Sequence, residues 1–231
     1  HALWDFSTSY QRNHRKELSP FHSHFPNQMA PEVNPNVELD FLLQTWDSKI
    51  AYEKDWDVDH KTKIGISYQY QLNDVDGYAY LLPKYNRMNA AAFLKHRWYL
   101  QNEQLLDFGL RLDYAAINIY GYFDHILFDY LIGKGNSFEN SNAYAQRSQS
   151  LNKTYLQPNV SVGYTIHPKE NWHSSVRLSS NFRYPTAMEL SANGIHHGAF
   201  RHEQGNPNLD VERGWVIDWN NEHFINNWRI N

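Results

Sequence analysis

Five side chains between residues 183 and 211 place imidazole, guanidinium and carboxylate groups close together in the chain. They are His196, His197, Arg201, His202 and Glu203. Imidazole nitrogens ligate iron and zinc and also serve as axial ligands of haem. The pattern predicts a ligand-binding loop in which His196 and His197 are candidate metal ligands. The alternative is a structural segment whose Pro and Gly residues shape a folded loop.

A second histidine-bearing segment covers residues 14–36. His22 and His24 are two positions apart, so their side chains share one face if the segment is extended. The chain contains 13 histidines, and this pair predicts a further metal site. The alternative is that both are solvated loop histidines.

A third group of residues indicates loop stability rather than chemistry. It consists of Arg183, Pro185, Glu189, Asn206, Pro207 and Glu212. Arg183 ends a strand pattern, and Glu189 lies one turn into a short helix that Thr186 could cap. We expect Arg183 to form an ion pair with Glu189 or with Glu212.

The sequence contains no GxSxG, P-loop, HExxH or dinucleotide-binding motif, so we do not expect an enzyme.

Alternation of apolar and polar residues with period two recurs along the chain and predicts strands. We predict eight, at about residues 2–13, 37–53, 60–73, 88–100, 104–120, 154–167, 171–182 and 212–225. The connections alternate between short ones, at 55–59, 101–103, 167–170 and 226–227, and long ones, at 14–36, 74–87, 121–153 and 183–211. This alternation favours an all-β, antiparallel, up-and-down transmembrane barrel segment, in which one rim carries tight turns and the other long loops.

Two details refine the predicted strands. The alternation that begins at Val37 changes phase near Trp46, and a β-bulge would explain the change. The polar faces carry residues that would line a barrel interior, namely Gln69, Gln71, Asp107, Arg111, Asp113, Arg177 and Asn181.

Tryptophans near the short connections predict an interfacial aromatic belt, made of Trp4, Trp56, Trp98, Trp172 and Trp228. Alternatively, these are core tryptophans of a soluble sandwich.

Composition narrows the class of protein. The 231 residues are 41% hydrophobic and 16% aromatic, which suits a folded domain with aromatic girdles. A net charge of −4 argues against nucleic acid as a partner. There are no cysteines, so disulfides and thiolate metal sites are excluded. A run of about 18 apolar residues, as a transmembrane helix needs, is absent.

The segment from Asn181 to Glu212 resembles the late-barrel signature of TonB-dependent outer-membrane receptors. The matching residues are Phe182, Arg183, Pro185, Glu189, Leu190, Gly194, His197, Gly198, Glu203, Gly205, Asn206, Pro207, Leu209 and Glu212. The resemblance implies a bacterial outer-membrane location and uptake of a scarce small molecule, such as an iron chelate or another metal ligand. It further implies outer-membrane lipid and the TonB complex as partners, the latter through a plug and a TonB box.

Neither a plug nor a TonB box is found in these residues, and the chain begins within a strand pattern. We therefore expect residues 1–231 to be a partial barrel domain of a larger receptor. Haem receptors of this class carry an FRAP box, a histidine and an NPNL box. Residues 182–185 depart from the first box at Tyr184, while 206–209 match the last. No resident cofactor is expected, and a haem receptor, a passive barrel and a soluble carbohydrate-binding sandwich remain open alternatives.

Overall fold

The computed structural model describes residues 1–23, 25–32, 34–101, 103–169, 171–196, 201–225 and 228–230. Nine strands of this described chain form one antiparallel sheet. In the order in which they pair, they are β1 (Ala2–Leu18), β2 (Val37–Asp55), β3 (His60–Asp76), β4 (Tyr85–Tyr99), β5 (Leu105–Ile119), β8 (Leu151–Lys169), β9 (Trp172–Arg183), β12 (Glu212–Ile225) and β13 (Trp228–Ile230).

The smaller elements all lie in the long connections. Two hairpins pair β6 (Tyr122–Phe123) with β7 (Gln146–Ser148) and β10 (Asn193–His196) with β11 (Arg201–Gln204). Three helices are α1 (His125–Gly133), α2 (Phe138–Ala145) and α3 (Ala187–Ser191). Among the described residues, no helix has both the length and the apolar composition needed to span a membrane.

The predicted fold class is confirmed. All eight predicted strands are present, each paired antiparallel with the next long strand of the chain, and β13 adds a short ninth. Tight connections join the strands at one end of the sheet, and long connections join them at the other. Within the described residues, β1 pairs only with β2 and β13 only with β12, so the sheet is open at both edges.

The strands extend further towards the long connections than the sequence pattern predicts. β1 continues to Leu18 rather than residue 13, and β8 begins at Leu151 rather than residue 154. The prediction also missed α1 and α2, although both begin with recognisable caps. The side chains of Asp124 and Ser137 accept hydrogen bonds from the backbone N–H groups of Leu127 and Asn140.

Alternation along each strand sorts the side chains onto two faces of unequal exposure. On β5, Asp107 and Asp113 are 7% and 9% exposed, whereas Leu110 and Leu112 are 55% and 47% exposed. We call the face with Asp107 and Asp113 inward and the opposite face outward. Other exposed apolar side chains continue the outward surface, among them Ile64, Ile66, Leu94, Val160, Val162, Val176, Leu178, Trp215, Ile217 and Trp219.

The face that carries the apolar residues changes towards the long connections. On β2, Leu43 points inward and Trp46 outward, and on β5 the inward positions become continuously apolar from Ala115 onwards. The β-bulge expected near Trp46 is wrong, because Trp46 stays in continuous register with Tyr10 of β1 and Tyr70 of β3. The pleat is unbroken, and the phase change reflects a change in which face is covered.

Beyond this change, the inward face carries a compact apolar core. Ala115, Ile117 and Ile119 of β5 are each 2% exposed. They form one cluster with Tyr155 of β8 and with Leu190 of α3, which is 1% exposed. The long connections therefore fold over the inward face of the sheet.

Aromatic side chains collect at the end with the tight connections. The rings of Trp4 and Tyr52 lie 4.8 Å apart on neighbouring strands. Trp56 donates from Nε1 to Thr62, and Trp172 donates from Nε1 to Asn221. The side chain of Trp228 lies outside the described residues.

The packing around Gly65 of β3 gives a test of this sheet. A Cβ atom at Gly65 would lie 2.6 Å from the carbonyl oxygen of Ile50 and 2.6 Å from Cζ of Phe93. We expect Gly65→Ala to lower the free energy of unfolding by about 1–3 kcal/mol, as overpacking does. The measurement is the urea-unfolding midpoint of the full-length protein.

The control is Gly133→Ala, because a Cβ atom at that position in α1 would meet no neighbouring atom within 4 Å. Its midpoint should be equal to or above that of the wild type, since alanine is the better helix former. Equal midpoints for the two variants would contradict the close packing at Gly65.

Candidate functional site

The connection between β9 and β12 is organised around the short helix α3. Thr186 is its N-cap, and its Oγ1 accepts from the backbone N–H of Glu189 at 3.2 Å. The Glu189 carboxylate accepts in return from the backbone N–H of Thr186 at 2.8 Å. This reciprocal capping box satisfies two backbone donors and fixes the start of the helix. Pro185 is buried directly before it.

Arg183 joins this helix to the sheet. Its Nη1 and Nη2 atoms donate to the two oxygens of Glu189 at 2.7 and 2.9 Å. Its Nε and Nη2 atoms donate to the two oxygens of Glu212 at 3.1 and 2.7 Å. The structure thus contains both ion pairs that the sequence analysis offered as alternatives. Glu212 is placed for this contact because it lies opposite Arg183 in the β9–β12 register.

The protonation of Glu189 follows from these contacts. Hydrogen bonds from Arg183, and next from the backbone N–H of Thr186, lower the pKa of the Glu189 carboxyl from 4.5 to about 2. The carboxylate is therefore charged across the neutral range. We call the group formed by Arg183, Thr186, Glu189 and Glu212 the loop clamp.

The segment 205–209 packs against the clamp. The backbone N–H of Gly205 donates to the Ala192 carbonyl, and that of Asn206 donates to the Glu189 carbonyl, both at 2.7 Å. A Cβ atom at Gly205 would lie 2.4 Å from the backbone nitrogen of Ser191, so only glycine fits. Asn206 also accepts from the backbone N–H of Asn208, and Pro207 is exposed. These residues turn the chain towards β12.

The small hairpin of β10 and β11 carries the predicted ligand residues. His196 lies opposite Arg201 in the register, and His202 lies opposite Ile195. Arg201 and His202 are exposed, and Arg201 donates to Glu203 at 2.5 Å. His197 and the side chain of His196 lie outside the described residues. The structure therefore presents Arg201 and His202 to solvent on one hairpin and leaves the two-histidine prediction untested.

The connection 19–36 contains the second pair of predicted metal ligands, His22 and His24. His22 contacts the Pro20 carbonyl at 3.2 Å and the Tyr78 hydroxyl at 3.4 Å. His24 lies outside the described residues. No group of three His, Asp or Glu side chains in the described part of the chain is arranged to hold a metal ion. Metal binding at His22 and His24 thus remains a prediction.

The inward face carries a charged network that the sequence analysis found only in part. Asp107 lies 3.3 Å from Nη2 of Arg177, 3.6 Å from Nε of Arg97 and 3.7 Å from Nζ of Lys95. Asp107 and Arg177 were predicted to be inward, whereas Lys95 and Arg97 were missed. The available signal was that both residues occupy alternate positions on β4, although Ala91 and Phe93 interrupt the polar face of that strand.

Nearer the long connections, the inward face forms a polar cavity of about 510 Å³. Arg111 donates from Nε to both oxygens of Asp113 at 2.9 Å. The guanidinium of Arg87 lies 5.5 Å from the ring centre of Tyr184. Burial raises the pKa of the Tyr184 hydroxyl to about 12, and among the described residues this hydroxyl has no hydrogen-bond partner. The cavity can therefore offer the cationic groups of Arg87 and Arg111 to a polar molecule.

Comparisons with known proteins agree with this architecture. A family model described as TonB dependent receptor-like, beta-barrel matches residues 2–218. None of the curated proteins matches the chain. Among solved structures, the copper transporter OprC is similar with a TM-score of 0.66 and 15% identity, over 97% of this chain and 34% of that one.

A second similar structure is the FrpB iron transporter from Neisseria meningitidis (F3-3 variant). The TM-score is 0.62 and the identity 12%, over 96% of this chain and 31% of that one. At these identities the likeness concerns the fold alone. The chain spans about a third of the length of both transporters.

The loop clamp predicts a particular pH dependence. Since the folded-state pKa of Glu189 is about 2 and its ordinary value is 4.5, the clamp stabilises fully above pH 4.5 and is lost as the pH falls towards 2. We expect Glu189→Gln to lower the free energy of unfolding at neutral pH by about 1 kcal/mol, a modest value because the pair is partly exposed.

The measurement is urea unfolding of the wild type and the variant across this pH range. The gap between the two should close on acidification. Glu32→Gln removes an exposed carboxylate of the connection 19–36 and serves as the matched charge control. A gap that stays constant down to the acid end would show that the clamp does not depend on the Glu189 charge.

Proposed function

The chain belongs to the TonB-dependent receptor family, and we propose that it forms part of the wall and external loops of a bacterial outer-membrane receptor. The proposed receptor takes up an iron chelate, such as a ferric siderophore, or a related metal ligand. One observation carries the proposal: a family-matched sheet with an exposed apolar face, a polar inward face and all long connections at one end.

The outward surface supports a membrane location. A broad apolar surface is unfavourable in water and is matched by lipid chains. Towards the long connections the surface becomes polar, where Asn118 donates to Asn86 and Asn86 donates to Tyr120, both at 2.9 Å. At the opposite end lie Trp4 and Trp98. We take the polar group around Asn86 and the tryptophans at the opposite end as the two boundaries of the lipid-facing band.

The same surface argues against a soluble carbohydrate-binding sandwich. A sandwich needs a second sheet packed on the apolar face of the first. In the described part of the chain the outward face is uncovered, and the other two sheets have two strands each. A passive barrel without a plug would have the same wall, so only the uptake experiment below separates it from a receptor.

The long-connection end is the proposed site of ligand capture. The loop clamp holds α3 against the sheet, and α3 in turn holds the segment that follows the β10–β11 hairpin. Arg201 and His202 on that hairpin are exposed and chemically suited to an anionic or metal-containing ligand. The names of the two similar structures refer to a copper transporter and an iron transporter, which supports a metal-containing ligand.

Energy coupling is assigned to other parts of the receptor. In our proposal a plug domain and a TonB box contact the TonB complex, while this chain supplies wall and loops. The inward network around Asp107 then faces the plug or the ligand path. The function assigned to the chain is transport rather than catalysis.

Uptake by cells tests the proposal. The full-length receptor, expressed in an iron-starved strain that lacks its own siderophore receptors, should import radiolabelled iron supplied as ferric siderophores. Import should disappear when the gene for TonB is deleted. Import that persists without TonB would favour a passive barrel, and no import with any tested siderophore would overturn the iron-chelate proposal.

The hairpin can be tested in the same assay. Joint replacement Arg201→Ala and His202→Ala removes two exposed polar groups, and we expect an affinity loss of roughly tenfold, equivalent to about 1.4 kcal/mol. Asn152→Ala, an exposed position outside the hairpin, is the control and should leave uptake unchanged. Equal affinities for the hairpin variant and the control would remove the hairpin from the site.

Haem is the second candidate ligand, favoured by the histidine-bearing loop and the complete NPNL box at residues 206–209. If His196 or His197 ligates haem iron, haemin added to the purified receptor should shift the Soret band. The double variant His196→Ala, His197→Ala should lose that shift, because imidazole ligation causes it. An identical spectrum for wild type and double variant would exclude this ligation.

A further inference from the structure

Two histidines on neighbouring strands face each other at the end with the tight connections. His60 begins β3 and His96 lies near the end of β4. Nδ1 of His60 lies 3.3 Å from Nε2 of His96, and both side chains are partly buried. Thr62 lies opposite His96, and His60 opposite Trp98, so the two imidazoles are diagonal neighbours across the strand pair. Both are on the outward face and take no part in the proposed transport path.

The separation of the two nitrogens suits a metal ion. Zinc binds imidazole nitrogen at about 2.0–2.1 Å with tetrahedral geometry, which places two ligand nitrogens about 3.3–3.4 Å apart. The observed distance of 3.3 Å between Nδ1 of His60 and Nε2 of His96 matches this separation of two ligand nitrogens. An ion between the two rings would therefore require little movement of either side chain.

Neighbouring groups already orient both rings. Nδ1 of His96 lies 2.9 Å from Oγ1 of Thr62, which also accepts from Nε1 of Trp56 at 2.9 Å. When His96 donates its Nδ1 proton to Thr62, its Nε2 lone pair points to His60. The ring of Trp98 lies against His60, with centroids 5.5 Å apart and planes 25° apart. Such hydrogen bonds to the far nitrogen are usual for metal-bound histidines, since they fix the tautomer and the ring plane.

We propose that His60 and His96 bind one divalent transition-metal ion, such as Zn²⁺, at the tight-connection end of the sheet. Among the described residues no third His, Asp or Glu side chain completes the group. Water molecules fill the remaining coordination positions, so the site is open and its ion exchanges readily. The ion links β3 to β4 and thereby stabilises the adjacent strand ends.

The proposal is independent of the ligand that the receptor imports. It is tested by titrating the tag-free, full-length, metal-free receptor with Zn²⁺ in a calorimeter. Because the chain has 13 histidines, the result is read as a difference between variants. His60→Gln and His96→Gln should each abolish one binding event that the wild type shows. His223→Gln is the control, since His223 stacks on Trp172 at the same end of the sheet and should leave that event intact.

Thr62→Val separates a metal site from a purely structural histidine pair. Loss of a partner that orients a ligand lowers metal affinity about 10-fold to 100-fold, so we expect this variant to keep the binding event that depends on His60 and His96, with a weaker affinity for Zn²⁺. Cu²⁺ provides a second readout, because its electron paramagnetic resonance spectrum should show two coordinated nitrogens, one of which the His60→Gln variant lacks.

Two results would overturn the proposal. One is a wild-type titration without a binding event that depends on His60 and His96. The other is a Cu²⁺ spectrum that is identical in the wild type and both glutamine variants. Neither result bears on uptake of the iron chelate, so failure here is distinguishable from failure of the proposed function.

Discussion

The continuous antiparallel hydrogen-bond register of the large sheet is the constraint on which the other features depend. From β1 to β5 the register is continuous except for one shift between Glu17 and Leu18, at the end of β1. Each residue of those strands is therefore assigned to one face by its position alone. A one-residue slip of β5 would turn Asp107 outward, away from its three basic neighbours, and bring Leu110 and Leu112 inward. The exposed apolar surface and the charged inward network are therefore two consequences of one register.

The same register explains how the long connections are held. Near the long connections the inward face of the sheet is apolar, and Leu190 of α3 packs there against Ala115, Ile117 and Ile119. Arg183 lies opposite Glu212 in the β9–β12 register and donates to the carboxylates of both Glu189 and Glu212. Apolar burial supplies most of the attachment, while the clamp sets the orientation of α3, because partly exposed ion pairs contribute modest free energy.

Side-chain chemistry in this protein is divided between the two ends of the sheet. At the long-connection end, Arg201 and His202 are exposed on a hairpin, and a polar cavity opens on the inward face. At the tight-connection end, His60 and His96 contact each other on the outward face, and Trp98 stacks on His60. The first arrangement suits capture of a passing ligand, whereas the second suits an ion that links neighbouring strands.

The sequence by itself determined the strands, their sorted connections, the family resemblance and Thr186 as the cap of the short helix, because alternation and capping are local properties of the chain. It left open whether Arg183 pairs with Glu189 or with Glu212, and the structure contains both pairs. It did not determine why the pattern changes phase at Trp46, since that depends on which face the long connections cover. Nor did it indicate the convergence of Lys95 and Arg97 on Asp107, or of His60 on His96. Those contacts join residues distant in sequence, and only the pairing of whole strands decides which of them become neighbours.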